Sequence, residues 1–561
     1  MITRLLIANR GEIACRIART AYRLGIATVG VYTEPDRRGL HVDAVDVAVA
    51  IPNYLDAAAV VAAAQRCGAD AIHPGYGFLA ENADFAESVF AAGLTWVGPP
   101  PDQIRLLGDK IAAKQAAIAA GVPTTPIVTI DGGAAPAAGA LPAFPLLVKA
   151  AAGGGGRGMR VVDSPDDLAE AIAAASREAQ SAFGDGTVFI EPFIARGRHV
   201  EVQIFGDTHG EVVHLGEREC SIQRRNQKIV EESPSPGISA TTRAALHAGA
   251  VALARHVGYV GAGTVEFMVA ERGDDAPAEI TFLEVNTRLQ VEHPVTEAVA
   301  GLDLVEWQLR VAEGDRLPRT QDQIRFDGAA IEVRLVAEDP AAGWLPSVGT
   351  LRHFDVAHRS GDGGVRIDAG FRAGSTVAAE YDSLLAKLIV HDTSRTRAAA
   401  RLARALRGAR ITGVRTNAAT LAAILTEPDF LAGDTPTAYL AEHPDVLTPD
   451  AFAGSSGQRV EVAHLVAAVF AAEAEHQVTN PLAFAPPGWR NLRTVGQRRT
   501  RVRDGLERHI EYAVGRDGVT VDVLVGPPPT VSGTAPLMTS SAISDDLRVA
   551  TFGLSAASFC L

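Results

Sequence analysis

The chain opens on a short apolar run, Leu5-Leu6-Ile7-Ala8, that predicts a buried strand. Over residues 12–23 the apolar positions Ile13, Ile17 and Ala21 fall four apart on one helical face, and residues 27–32 return to strand character. The alternation continues through a strand over 45–51, an alanine-rich helix over 56–66 and a strand over 69–73 that runs into Pro74-Gly75-Tyr76-Gly77. Repeated βα alternation predicts an α/β domain with a parallel, doubly wound sheet, ending near residue 113.

Beyond it the pattern changes. Residues 131–143 are rich in Gly, Ala and Pro without a period, and read as a connection to a strand over 145–149. From there to about residue 313 strands and helices mix; apolar strands over 264–269 and 280–285 flank Arg272-Gly273-Asp274-Asp275-Ala276-Pro277, a hairpin signal and hence antiparallel sheet. A third, α+β unit is expected over 329–442. Residues 443–457 read as a linker, followed by a helix over 460–475 and short β pieces around Trp489, Tyr512 and 519–525. The charge-poor tail, 532–561, has no period and receives no assignment.

Length and composition narrow the function. At 561 residues, 47% apolar and 21% charged, the chain is long enough for several packed cores, and no apolar run approaches the ~20 residues of a bilayer crossing. A net charge of −14, with no Lys/Arg-rich run interleaved with aromatics, argues against nucleic acid as a partner. Cys15, Cys67, Cys220 and Cys560 are too dispersed for a zinc site or a disulfide framework, which fits a cytoplasmic protein without a secretory leader. Only five lysines occur, Lys110, Lys114, Lys149, Lys228 and Lys387, so lysine chemistry has few places to happen.

One of those lysines ends the strand that precedes Gly153-Gly154-Gly155-Gly156. Four successive glycines carry a large ordering entropy; a flexible turn explains the run less well than a loop whose N–H groups close over phosphates beside Lys149. The Gly-Lys-Ser/Thr ending of a P-loop is missing, so a different nucleotide fold is required. Glu266 and Glu284 lie on the two arms of the expected hairpin, where neighbouring strands can present both to one hard cation; the same pair also reads as two solvated glutamates. The run Glu284-Val285-Asn286-Thr287-Arg288-Leu289-Gln290-Val291-Glu292 places five polar groups at even positions. If extended it would hold Glu284 and Glu292 up to about 26 Å apart, separating a metal site from a second-substrate site.

Five segments together resemble the biotin carboxylase family: Ile7-Ala8-Asn9-Arg10-Gly11-Glu12-Ile13, His73-Pro74-Gly75-Tyr76-Gly77-Phe78-Leu79-Ala80-Glu81-Asn82, the glycine loop, Gln223-Arg224-Arg225-Asn226-Gln227-Lys228, and Asn286 through Glu297. Their order and spacing match across residues 1–442. The resemblance implies a Rossmann-like N-terminal domain over 1–113, an ATP-grasp domain with a glycine-rich lid over 114–313 and a biotin carboxylase C-terminal domain over 329–442. More loosely, residues 458–531 resemble the part of acyl-CoA carboxylase α subunits that docks on carboxyltransferase.

The implied reaction uses ATP, Mg²⁺ or Mn²⁺ and bicarbonate to carboxylate biotin. By resemblance Lys110, Lys149, His199 and Gln223 bind ATP with Gly153 to Gly156 over the phosphates and Glu191 at the adenine hinge; Glu266, Glu284 and Asn286 hold the metal. Lys228, Arg288, Gln290 and Val291 seat bicarbonate, Glu292 is its general base, and Arg334 with Asp382 faces biotin. Three departures stand out. Ala151-Ala152 replaces the more usual Ser-Gly, Asn226 stands where histidine is common, and no lysine follows Lys387 to serve as a biotin acceptor. Either the carrier is a separate protein or the chain is a truncated form; in both cases biotin is expected on a carrier in trans, with a carboxyltransferase β subunit as second partner and an oligomeric assembly.

Overall fold

A computed structural model describes residues 1–130, 141–151, 159–270, 278–356 and 364–447, and the strands Gln497–Arg503, Leu506–Gly515 and Gly518–Val525. Gly153 to Gly156, the turn over 272–277, the helix expected over 460–475, the piece around Trp489 and the tail lie outside the described residues. Contacts divide the chain into two units, Met1–Pro449 and Asp450–Leu561.

In the first unit the alternation at the N-terminus forms a five-stranded sheet in the order Val47–Ala50, Ala27–Tyr32, Arg4–Ile7, Ala71–His73, Thr95–Trp96, every pair parallel. The chain winds outward from Arg4–Ile7 first one way and then the other, as a doubly wound sheet must. Helix Gly11–Arg23 buries Ile13, Ile17 and Ala21 against it. Asn9, at the carboxyl end of the first strand, donates through Nδ2 to the carbonyls of Pro74 and Tyr76, both at 2.7 Å. Those bonds fix the Pro74 to Gly77 turn. Gly75 sits there at φ 67°, and a Cβ on it would meet Asn9 Nδ2 at 2.8 Å, so both the backbone hand and the space call for glycine.

Helix Lys110–Ala119 follows, its first turn closed by Asp109, which accepts from the N–H groups of Ile111 and Ala112 at 2.9 Å. A small antiparallel sheet, ordered Val128–Ile130, Val188–Pro192, Leu146–Ala150, Arg160–Val162, then packs on helix Pro165–Phe183. Its register pairs Leu147 with Glu191, which makes Lys149 a diagonal neighbour of that carboxylate on the same face.

The largest sheet has eight strands, in the order Glu279–Asn286, Gly261–Ala270, Arg198–Gly206, Val212–Glu219, Val230–Ser233, Ala329–Val336, Leu384–Asp392, Arg366–Ala369. The expected hairpin is present as the pair Gly261–Ala270 and Glu279–Asn286. Ala329–Val336 pairs with Val230–Ser233, so the strands Ala329–Val336, Leu384–Asp392 and Arg366–Ala369 continue the sheet that carries this hairpin. Non-local pairing of this kind cannot be read from either strand alone. Residues 443–447, read as the start of a linker, instead pack on the domain, with Val446 buried in its core.

The second unit contains an antiparallel meander of Gln497–Arg503, Leu506–Gly515 and Gly518–Val525. Among the described residues no helix is long and apolar enough to cross a membrane.

Candidate active site

The site begins with a buried row of charge. Strand Arg198–Gly206 alternates His199, Glu201 and Gln203 with Val200, Val202 and Ile204, and all six are buried. Across the sheet the register sets Glu284 opposite Glu266, Glu266 opposite Glu201, and Glu201 opposite Arg218. Three carboxylates in one cross-strand row repel one another unless cations lie among them.

Lys228 supplies the first cation. Its ammonium donates to Glu201 Oε2 at 2.5 Å, Glu266 Oε1 at 3.0 Å and Glu292 Oε1 at 2.6 Å. Arg218 bonds the other oxygen of Glu201 and reaches Gln203, Thr264 and Thr296 at 2.8–3.0 Å. Burial alone would raise Glu266 and Glu292; Lys228 with His199 at the first, and Lys228 with Arg334 and Arg218 at the second, hold both well below the usual carboxylate range. Lys228, although desolvated, is raised well above its ordinary value by the same three acids.

His199 closes the other end of the row. Its Nε2 lies 2.8 Å from Glu266 Oε2, and its Nδ1 lies 2.6 Å from Gln223 Nε2. An amide N–H donating to Nδ1 leaves the ring proton on Nε2, facing the carboxylate. Nearby, Lys149 Nζ meets Glu191 Oε1 at 2.8 Å, while Lys114 and Thr125 meet Oε2. Burial would raise Glu191, but the Lys149 and Lys114 ammoniums bring it down to about 2. Glu191 thus neutralises two lysines, and Lys114, which the sequence reading left without a role, belongs to this network. Lys110 stands 3.6 Å from Glu284 Oε2.

The polar run after Glu284 is not extended along its length. The strand ends at Asn286 and helix His293–Ala300 begins seven residues on, with Glu292 as its N-cap at φ −81°, ψ 9°. The chain folds back, so Glu266 Oε1 takes bonds from Asn286 at 3.0 Å and Gln290 at 3.3 Å, and one ammonium, Lys228, spans Glu266 and Glu292. Glu292 is thereby linked through one ammonium to Glu266, the cross-strand partner of Glu284, and not held the length of an extended strand, about 26 Å, away from it. Arg288 reaches Asn286 Oδ1 at 2.9 Å, Gln290 Oε1 at 3.0 Å and Glu81 Oε2, from the N-terminal domain, at 2.9 Å. Arg334 donates to Glu231 Oε1 at 2.5 Å and Glu292 Oε2 at 3.0 Å.

A cavity of about 610 Å³ opens over these groups. Lys110, Lys149, Glu191, His199, Gln223 and Lys228 line it, as do Glu266, Glu284, Asn286, Arg288, Gln290, Val291 and Arg334; Glu292 lies beneath it, fully buried. Asp382 is not brought there. It lines a separate cavity of about 190 Å³ with Glu338 and Tyr381, and its carboxylate accepts from the Leu384 N–H at 2.8 Å. The main cavity also has an apolar wall of Leu147, Met159, Ile194, Met268 and Leu283, suited to a flat heterocycle. Two of the chain's four methionines lie in it, a concentration that could have marked the wall from sequence. Glu201 was missed too, although His199, Glu201 and Gln203 carry the same every-second-residue signature as the run after Glu284.

Comparison with known proteins follows the same lines. Family models match in series: the biotin carboxylase N-terminal domain over residues 1–104, the carbamoyl-phosphate synthase L chain ATP-binding domain over 109–320, and the biotin carboxylase C-terminal domain over 332–442. The biotin carboxylase of Nostoc sp. is 45% identical over 449 residues, 78% of this chain and 98% of that one. The chain belongs to the biotin carboxylase family. Within it, the mitochondrial methylcrotonoyl-CoA carboxylase subunit alpha of Oryza sativa is 45% identical over 493 residues, and this chain spans 65% of that subunit's length. The biotin carboxylase domain dimer of Hydrogenobacter thermophilus 2-oxoglutarate carboxylase, crystallised with MgADP, ADP and bicarbonate, superposes with a TM-score of 0.75 at 43% identity, covering 80% of this chain and 99% of that one.

Proposed function

We propose that the chain carboxylates biotin on a carrier protein, using ATP and bicarbonate, as the first half-reaction of a biotin-dependent acyl-CoA carboxylase. The observation that carries this reading is Lys228, whose one ammonium joins Glu266, at the nucleotide end, to Glu292, at the anion end.

Bicarbonate is a poor electrophile and must first be phosphorylated. Seated by Lys228, Arg288, Gln290 and the Val291 backbone, its oxygen attacks the γ-phosphorus of ATP, the bond to the β-phosphate oxygen breaks, and Glu292 takes the bicarbonate proton. Glu292 is ionised in the resting site, as a base must be, but the cations around it make it a weak one. An entering anion that shares those cations raises its basicity at the moment it is needed. Lys110, Lys149, His199 and Gln223 bind the nucleotide, the Lys149 ammonium acting as a point charge on phosphate. Glu266, Glu284 and Asn286 offer the hard oxygen donors that Mg²⁺ or Mn²⁺ takes, and the ion would offset phosphate charge there.

Carboxyphosphate then yields CO₂ and phosphate; the phosphate removes the ureido proton of biotin, and the ureido nitrogen bonds CO₂. Arg334, the donor between Glu231 and Glu292 at the cavity wall, stabilises the charge that develops on the ureido oxygen. The carrier and a carboxyltransferase are the partners in this reading, with residues 458–531 as the docking region, an oligomeric assembly and a cytoplasmic location consistent with the scattered cysteines. The test is ADP release from ATP: it is expected to require bicarbonate and to rise with free biotin. ADP release that ignores bicarbonate and needs an amine acceptor instead would assign the site to another class of ATP-grasp ligase.

A further inference from the structure

Behind Arg334 lies a pair of carboxyl groups that the proposed reaction does not use. Glu231 and Glu332 stand opposite each other where strands Val230–Ser233 and Ala329–Val336 join the two halves of the eight-stranded sheet. Both are fully buried. Glu231 Oε1 takes the Arg334 Nε–H at 2.5 Å, whereas Glu231 Oε2 and both oxygens of Glu332 have no hydrogen-bond partner among the described residues.

The charged groups around the pair are engaged elsewhere: Lys228, whose charge also acts on Glu231, holds Glu201, Glu266 and Glu292. Lys387, opposite Arg334 on Leu384–Asp392, gives its ammonium to the Val291 carbonyl at 2.7 Å and to Glu12 at 3.1 Å, not to Glu332. Asp368 faces Lys387 from the edge strand, Tyr76 bonds Glu12, and helix His293–Ala300, with Glu292 and His293 at its start, covers this side of the sheet. Two carboxylates opposed in a buried sheet cannot both hold charge. Glu231 has a guanidinium on it; Glu332 has no donor among the described residues, so the proton belongs on Glu332.

We propose that Glu332 is a positioning residue for Arg334: as a neutral acid it leaves Glu231 the single anion behind the guanidinium, which keeps Nη2 aimed at the reacting groups. The difference between the two supports the assignment: burial pushes Glu332 well above the usual carboxylate range, whereas Glu231, with the Arg334 guanidinium on it, is raised only to about 7. Ionising Glu332 would add a second negative charge behind Arg334 and weaken the field it presents to the ureido oxygen, while phosphorylation of bicarbonate, centred on Lys228 and Glu292, is affected less. The inference rests on the reading of Arg334 as the group that faces biotin.

The experiment measures, on one preparation, the ratio of biotin carboxylation to bicarbonate-dependent ATP cleavage from about pH 6.5 to about pH 9.5, where the ratio in the native chain is expected to fall roughly tenfold per pH unit beyond the pKa of Glu332. Glu332→Gln, and Glu332→Met in case a buried amide does not fold, should flatten that decline. Glu231→Gln, which releases Arg334, should lower the ratio roughly 10²-fold, the scale of loss from about 1 Å of misplacement. Ratio profiles of both neutral variants superposing on the native one, or a ratio lost at every pH, would overturn the role of Glu332. A native chain with no bicarbonate-dependent ATP cleavage would instead strike down the functional reading beneath it.

Discussion

Lys228 is one ammonium shared among three buried carboxylates, Glu201, Glu266 and Glu292. Only Glu292 of the three also touches Arg334, so only it can relay between the bicarbonate and biotin ends. In the proposed reaction Glu292→Gln keeps the shape of the side chain but removes the base and one of the two oxygens that accept from Lys228 and Arg334, and bicarbonate-dependent turnover should fall roughly 10²-fold or more with ATP affinity retained; near-native turnover would show that another group takes the proton. Glu191 makes a different prediction. Held down to about 2 from an ordinary 4.5, it favours the folded state fully above that ordinary value and loses the effect as pH falls toward 2. A shift of that size corresponds to about 3 kcal/mol. Denaturant melts across that acid window should show Lys114→Met losing stability at higher pH than the native chain, because one of the two lysines that depress Glu191 is gone; coincident curves would mean Lys149 alone sets it.

At the scale of elements, the two-stranded hairpin Gln223–Arg224 and Gln227–Lys228 deserves a prediction of its own. Its two-residue loop, Arg225 at φ 48° and Asn226 at φ 63°, has both residues left-handed, the backbone of a type I′ turn, and asparagine tolerates that hand better than most residues. Arg224 ties the hairpin to the C-terminal domain, stacking 4.9 Å from the Trp344 ring centre and bonding Glu338 at 3.2 Å. One arm carries Gln223 and the other Lys228, so Arg224→Ala should raise the apparent KM for ATP and for bicarbonate together, each by roughly fivefold, the equivalent of about 1 kcal/mol. A rise in only one would mean that the arms move independently.

The parallel domain and the Glu266–Glu284 hairpin were legible because each depends on local period and turn chemistry. The fold-back at Glu292 was harder to see. Alternation of polar and apolar residues continues through Thr287 to Val291 after the strand has ended, and Pro294, in the first turn of a helix, was the cue that the period changes there. Nor does any local pattern say that Glu332 will face Glu231, about a hundred residues earlier in the chain; that pairing exists only in the folded sheet.

Over the whole molecule, the five lysines are all spoken for: each pairs with a glutamate, and their side-chain exposures lie between 0% and 12%. A biotin ligase needs an accessible ε-amine, so this chain expressed with an active ligase should give no band on a streptavidin blot, and a positive band would place an acceptor where the structure shows none exposed. The same burial has a practical side. An amine-selective reagent, such as an activated ester, meets a shielded side chain at every lysine. Amine chemistry should therefore leave the lysines of the main cavity unmodified, and that cavity open for binding to be watched in real time.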